Sequence, residues 1–136
     1  MSARLLDGAA LARTMRERLR PDVEAFTTRV GRPPGLALVL VGDDPASHVY
    51  VGSKQSHGTD VGFRVDLHQR QASATLDEVL ALVRSLNEDA AIDGILVQSP
   101  LPAAMGADAE RRVFDAIAPA KDVDGFHPVN VGRLVQ

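Results

Sequence analysis

Gly35-Leu36-Ala37-Leu38-Val39-Leu40-Val41-Gly42-Asp43-Asp44-Pro45 decides the fold. Its apolar core, Leu36 to Val41, is the longest uninterrupted apolar run in the chain. A run that does not alternate with polar residues reads as a strand buried on both faces, as parallel strands are. Gly42-Asp43-Asp44-Pro45 then turns the chain, and a helix is expected over 47–62. Upstream, Leu11, Met15, Leu19, Val23, Phe26 and Val30 recur at helical spacing and predict one apolar helix face over 9–30. Pro21 lies inside that run and is expected to kink or divide it, because it lacks a backbone donor and crowds the preceding turn. Gly31-Arg32-Pro33-Pro34-Gly35 is the stop between helix and strand.

Downstream, residues 63–69 alternate well enough for a second strand. Thr75-Leu76-Asp77-Glu78 carries the capping-box pattern and opens a helix bearing Leu76, Val79, Leu80, Val83 and Leu86. Gly94-Ile95-Leu96-Val97 is a third buried strand, a helix follows around 108–117, and another begins within 130–136. Strand, helix, strand, helix, strand with buried runs predicts an α/β fold: an open parallel sheet flanked by helices in three αβα layers. An end inside a helix is odd for a complete protein, so a fragment of a longer chain is expected.

With 136 residues the chain supports one domain. A net charge of −3 lacks the basic excess of a nucleic-acid binder, and no basic amphipathic segment suits a membrane surface. No apolar run approaches the roughly 20 residues that span a bilayer, and no apolar signal core follows Met1. The absence of cysteine excludes disulfides, thiol catalysis and thiolate metal sites. These features describe a soluble, cytoplasmic domain.

Open α/β sheets bind ligands beyond the carboxyl ends of their strands. Two segments fall there: 42–54 after the first buried strand and 98–102 after the third. Ser47, Tyr50 and Lys54 are spaced i, i+3, i+7 and share a sector of roughly 60° of the helix, so all three can face one cleft. Tyr50 is the sole tyrosine, and Lys54 is one of two lysines beside 13 arginines. Lysine can shuttle a proton where arginine cannot. Gln98 places an uncharged donor-acceptor group at the end of an apolar strand. The plain alternatives are a solvated lysine, a half-buried tyrosine and a glutamine capping backbone groups.

Asp122 and Asp124 resemble half of a calcium loop, but the third ligand and distal glutamate are missing. A carboxylate holding amidine-like NH groups is the better functional reading, with turn-forming aspartate as the plain one. His48, His57, His68 and His127 have no metal spacing, so no metal is expected. No glycine-rich phosphate loop occurs, and the chain has no cofactor-binding residues of its own.

Together these segments carry a resemblance. Val41-Gly42-Asp43-Asp44-Pro45-Ala46-Ser47 with Tyr50-Val51-Gly52-Ser53-Lys54 resembles the first signature of the bifunctional methylenetetrahydrofolate dehydrogenase/methenyltetrahydrofolate cyclohydrolase family. Gly94-Ile95-Leu96-Val97-Gln98-Ser99-Pro100-Leu101-Pro102 is similar to its second. Pro119-Ala120-Lys121-Asp122-Val123-Asp124-Gly125-Phe126, with His127-Pro128-Val129-Asn130-Val131-Gly132, is similar to its third. Order and spacing agree over essentially the whole chain. Ser56 stands where the family often has a second lysine, Gly58 where it has a small residue or cysteine, and Ser99 where it often has leucine.

The resemblance implies that residues 1–136 are the folate-binding catalytic domain, with the last residues entering an NADP-binding domain that this sequence lacks. It implies that Lys54 transfers protons, that Gln98 hydrogen-bonds and tunes it, and that Asp124 holds the pterin amino and ring NH groups. Tyr50 would stack on the folate, and Ser47, Val97, Gln98, Ser99 and Pro100 would line the same cleft. The complete enzyme would oxidise 5,10-methylenetetrahydrofolate with NADP and hydrolyse the product to 10-formyltetrahydrofolate, serving purine, methionine and histidine supply. It would need no metal, bind tetrahydrofolate derivatives and no nucleic acid or membrane, and form a homodimer. The competing expectations are a non-catalytic folate-binding module and an unrelated α/β binding domain.

Overall fold

The computed structural model describes residues 6–134. The helices and strands run in the order α1 (Gly8–Val30), β1 (Gly35–Val41), α2 (Pro45–Asp60), β2 (Arg64–Arg70), α3 (Leu76–Glu88), β3 (Gly94–Val97), α4 (Ala109–Ala116) and α5 (Pro128–Leu134). A short 3-10 turn at Ala103–Met105, not foreseen from the sequence, joins β3 to α4. The three strands form one sheet in the order β2-β1-β3, and β1 is parallel to both neighbours. In the register Val39 lies opposite His68 on one side and Val97 on the other.

The central strand is buried on both faces because successive side chains point to opposite sides of the sheet. Ala37, Val39 and Val41 pack with Val79, Val83 and Leu86 of α3 and Val113 of α4. Leu38 and Leu40 pack with Leu96 of β3 and Val51 of α2. Helices thus cover both faces, as the alternating element pattern requires.

Local chemistry explains the boundaries. Asp44 caps α2, accepting from the Ser47 amide at 2.7 Å, and Pro45 occupies the first turn, so this helix starts two residues earlier than expected. In α3 the capping box forms in both directions: the Glu78 amide donates to Thr75 Oγ1 at 3.2 Å and the Thr75 amide to Glu78 Oε2 at 2.6 Å. Thr75→Ala should therefore lower the unfolding free energy by about 1 kcal/mol. Denaturant titration checks this, and Thr75→Ser should retain most of the stability.

The expectation that Pro21 kinks or divides α1 is corrected on the second point. Pro21 does not divide the helix, which is continuous across it. Both Pro21 and Glu17, whose carbonyl loses its partner, are solvent-exposed, so water takes over the lost bond. Nor is the periodic apolar stripe a core face along its length: Val23 is buried, but Leu11 and Met15 are 61% and 62% exposed.

The junction of α1 and β1 is clamped to the start of β3. Arg32 bridges Asp93 through its two terminal guanidinium nitrogens, at 2.6 and 3.0 Å, and donates to the Ala90 carbonyl at 2.6 Å. The Gly35 amide donates to Asp93 at 2.8 Å and the Asp93 amide to the Gly35 carbonyl at 2.7 Å. The hydrogen bond from Arg32 holds the Asp93 carboxyl below its usual range. A depressed folded-state pKa stabilises at neutral pH, and this contribution disappears as pH falls through that pKa.

Candidate functional site

The site lies where β1 and β3 end. Gly42 follows β1 with φ 91°, a conformation that favours glycine, and its amide donates to the Arg70 carbonyl at 2.9 Å. The chain then enters α2, whose Asp44 cap sets the rotation of the helix. Ser47 is 2% exposed and turned into the protein, whereas Tyr50 is 61% exposed and Lys54 is half-buried. Lys54 Nζ stands 5.9 Å from the Tyr50 ring centroid, within cation–π range.

Beyond β3, the Gln98 amide donates to the Val39 carbonyl at 2.8 Å and carries the ladder one residue past the strand. This anchors the Gln98 backbone to the central strand and leaves its side chain at the sheet end. There Lys54 Nζ donates to Gln98 Oε1 at 2.7 Å, and Gln98 Nε2 donates to the Ser99 carbonyl at 2.8 Å. Two residues 44 positions apart in sequence are thereby joined directly. Val97 is buried at the end of β3, and Ser99 and Pro100, linked by a cis peptide, are exposed on the loop.

The third segment reaches the site through a parallel bridge between Ile95 and Asp122, with the Ile95 amide donating to the Lys121 carbonyl at 2.7 Å. Lys121 Nζ donates to the carbonyls of Leu86 and Asp89 at 3.0 and 2.8 Å and ties the segment to the end of α3. Asp122 organises the turn that follows. It accepts from the Gly125 amide at 3.1 Å, the His127 amide at 2.9 Å and Asn130 Nδ2 at 2.9 Å. Desolvation pushes the Asp122 carboxyl up most strongly, but the combined hydrogen bonds from Asn130, His127, Phe126 and Gly125 outweigh it and hold the pKa below the usual range.

Asp124 differs. Desolvation is its largest influence and raises its pKa, Lys54 pulls it down, and Asp122 pushes it up again. The residue is exposed as a whole, yet protein around the carboxylate disfavours its ionised form. In the folded chain it therefore holds a proton more readily than in the unfolded one, and stability gains as pH falls through the raised pKa. A ligand donating NH groups would reverse that preference.

The structure thus joins Lys54 to Gln98 by a hydrogen bond, places Lys54 within cation–π range of Tyr50, and sets Asp124 within the field of Lys54. Two contributors escaped the sequence reading. Asn130 helps to hold Asp122, and Glu110 accepts through one oxygen from Ser99 Oγ at 2.6 Å and the Leu101 amide at 2.9 Å. The Asp122 turn had a local signal in Asp-x-x-Gly, but nothing near Glu110 in sequence announces a partner on another segment. Two surface cavities of about 540 and 610 Å³ lie elsewhere, and neither is lined by Lys54, Gln98 or Asp124. Among the described residues no cluster of His, Asp and Glu is arranged to hold a metal ion.

The turn after β1 is where a strand runs through a glycine into a helix N-terminus, the arrangement a dinucleotide pyrophosphate needs. Here Asp44 occupies that N-terminus, and hydrogen bonds from Ser47 hold its carboxyl below the usual range. A phosphate would meet this anion, so these residues do not fit a dinucleotide.

Comparison with known proteins places this geometry. Residues 6–124 match the family described as tetrahydrofolate dehydrogenase/cyclohydrolase, catalytic domain. The chain is 50% identical over 134 residues to the bifunctional protein FolD of Dehalococcoides mccartyi, covering 98% of this chain and 44% of that protein. It is 48% identical to the bifunctional protein FolD of Salinibacter ruber, again over 44% of its length. The solved 5,10-methylenetetrahydrofolate dehydrogenase of the silkworm, Bombyx mori, superposes with a TM-score of 0.91 at 44% identity, over 98% of this chain and 45% of that one. The Trypanosoma brucei N5,N10-methylenetetrahydrofolate dehydrogenase-cyclohydrolase, solved with NADP cofactor and inhibitor, superposes with a TM-score of 0.91 at 34% identity, over 98% and 45%. The chain therefore spans under half the length of these relatives.

Proposed function

We propose a function from one premise: the chain belongs to the tetrahydrofolate dehydrogenase/cyclohydrolase catalytic-domain family. The complete protein oxidises 5,10-methylenetetrahydrofolate with NADP and hydrolyses the methenyl product to 10-formyltetrahydrofolate, and residues 1–136 supply its folate-binding catalytic domain. The 2.7 Å contact between Lys54 Nζ and Gln98 Oε1, at the carboxyl ends of adjacent parallel strands, carries this reading. It puts a proton-carrying group beside an oriented amide where α/β sheets bind ligands.

In the hydrolytic step, the oxygen of water bonds to the electrophilic methenyl carbon as the C=N π pair returns to nitrogen. One proton leaves the adding water. The hydroxyl oxygen then gives up its remaining proton and forms the C=O bond as the bond from that carbon to the pterin ring nitrogen breaks. This nitrogen keeps the bonding pair and takes up a proton, the carbon remains as the formyl group on the other nitrogen, and one proton is released overall. Lys54 moves these protons, and Gln98 holds its amine in place. Asp124 accepts from the pterin amino and ring NH groups, a planar pairing suited to a carboxylate. Tyr50 stacks on the folate, with Ser99 and Pro100 forming the surrounding wall and the buried Ser47 and Val97 lying beneath it. NADP supplies the hydride acceptor for the other reaction, and its site is proposed to lie outside this sequence, into which the last residues lead.

The reading extends to a cytoplasmic homodimer serving purine, methionine and histidine supply, without a metal. Among the described residues the outer edge of β2 has no neighbour in the sheet, and this edge is proposed as the surface for a second copy. Among the described residues no helix is long and apolar enough to cross a membrane.

Hydrolysis of 5,10-methenyltetrahydrofolate by the full-length protein, followed spectroscopically, is the direct test; absence of turnover above buffer rejects the reading. Binding supplies a second one. Tyr50→Ala should weaken folate affinity by about 1 to 2 kcal/mol, the scale of a lost aromatic contact and its buried area. Tyr50→Phe should lose far less, since stacking uses the ring, and equal losses by titration would remove Tyr50 from this role.

A further inference from the structure

We propose that Glu110 is a positioning residue that determines which end of the Gln98 amide faces Lys54; the kinetic consequence rests on the function proposed above. The two ends of a glutamine amide have nearly the same size and shape, so packing alone cannot choose between them. Hydrogen bonds must choose. In its ammonium form Lys54 can only donate, and it then requires the oxygen end. The opposing selection comes from the Ser99 carbonyl, which accepts from Gln98 Nε2 at 2.8 Å and so fixes the amino end away from the lysine. If that carbonyl moved, the amide could rotate and present a donor to a donor, and the lysine would lose its anchor.

Glu110 keeps the carbonyl in place. Its Oε1 accepts from Ser99 Oγ at 2.6 Å and from the Leu101 amide at 2.9 Å, bracketing Pro100 from both sides. Pro100 has no amide hydrogen with which to fasten the loop itself. Hydrogen bonds to an ionised carboxylate are the strong kind, and 2.6 Å is the short distance expected of one. The anchor is rigid because α4 is rooted in the core through Ala109 and Val113, exposed by 2% and 0%. A continuous relay thus runs from Glu110 in α4 through the Ser99 loop to the Gln98 amide and Lys54. Ser99 supplies a hydroxyl where a leucine would supply none, so half of the bracket depends on this particular residue.

The relay has two readouts in the full-length protein. Glu110→Ala should lower kcat for hydrolysis of 5,10-methenyltetrahydrofolate about 10- to 30-fold with KM within about twofold, as for a group acting through a catalytic neighbour. Glu110→Gln keeps an acceptor oxygen and should restore kcat to within about threefold of wild type. On a Gln98→Ala background, Glu110→Ala should cost less than about twofold more, because the relay then has no end to act on. A loss repeated in full on that background, or a rise in KM at unchanged kcat, overturns the proposal.

The second readout needs no substrate. The side-chain amide protons of Gln98, assigned in nitrogen-15 NMR spectra by their disappearance in Gln98→Ala, should exchange with solvent at least about tenfold faster in Glu110→Ala. Unchanged exchange overturns the proposal whatever the activity. Faster exchange in a protein whose wild type hydrolyses nothing rejects the proposed function and leaves the relay standing. Should Glu110→Ala fail to fold, Ser99→Ala removes one of the two bonds without altering α4. It must then shift both readouts in the same direction, with kcat down about threefold, or the proposal falls.

Discussion

Lys54→Met in the full-length protein is expected to lower the rate of 5,10-methenyltetrahydrofolate hydrolysis by about 10²- to 10⁴-fold, the usual contribution of a positioned proton-transfer group. Methionine keeps the length and flexibility of the lysine stem but has no group that carries a proton. Folate affinity should stay within about tenfold, or roughly 1.4 kcal/mol, because the anchoring is proposed to fall to Asp124 and Tyr50. Gln98 Oε1 loses its 2.7 Å donor, yet Gln98 is only half-buried and water can replace it. The thermal midpoint should therefore move by no more than about 3 °C. Near wild-type turnover with normal folate binding would show that another group moves the proton.

Gly35→Ala is expected to cost about 3 kcal/mol, the upper end of overpacking penalties, and to lower the midpoint of thermal unfolding by roughly 10 °C. A Cβ on Gly35 would overlap the Ala91 carbonyl oxygen and stand 3.1 Å from its carbon. These are backbone atoms, and the surrounding clamp keeps them from moving aside: Asp93 is bound to both polar groups of Gly35, and Arg32 holds Ala90 and Asp93 together. Relieving the overlap means breaking that clamp at the entrance to β3. Gly52→Ala is the control. Gly52 lies within α2 with open space around the added carbon, so alanine there should leave stability equal or higher by a few tenths of a kcal/mol, about the helix-interior gain. Calorimetry on both variants checks the pair, and equal midpoints would mean that the Ala91 backbone yields freely.

These two glycines mark the division between local and tertiary information. The parallel sheet was legible because Leu36 to Val41 and Gly94 to Val97 are apolar without alternation, a pattern that arises only where both faces of a strand are covered. Asp44-Pro45 and the Thr75-Glu78 box act within one turn of chain, so the caps of α2 and α3 follow from adjacent residues alone. Spacing along α2 likewise put Tyr50 and Lys54 on one side, and their resemblance to a known signature pointed to the family that residues 6–124 match. The periodicity of α1 misled in part, because spacing marks a face as apolar but does not supply a neighbour to cover it.

The site itself was decided by tertiary structure. Lys54 meets Gln98 across 44 positions because β3 is laid beside β1 in register, with the Gln98 amide on the Val39 carbonyl. Asp124 enters the field of Lys54 because Ile95 pairs with Asp122, and Asp122 spends its hydrogen bonds on the turn rather than on a ligand. Glu110 reaches Ser99 from a helix rooted in the core, and Gly35 is a glycine on account of a carbonyl 56 positions away, the separation of 35 and 91. Residue type and spacing determine what a segment can form by itself, since caps, turns and strand faces are settled within a few residues. Which groups then touch is settled by how strands are ordered in the sheet, and hydrogen bonds between distant segments leave no periodic trace in the chain.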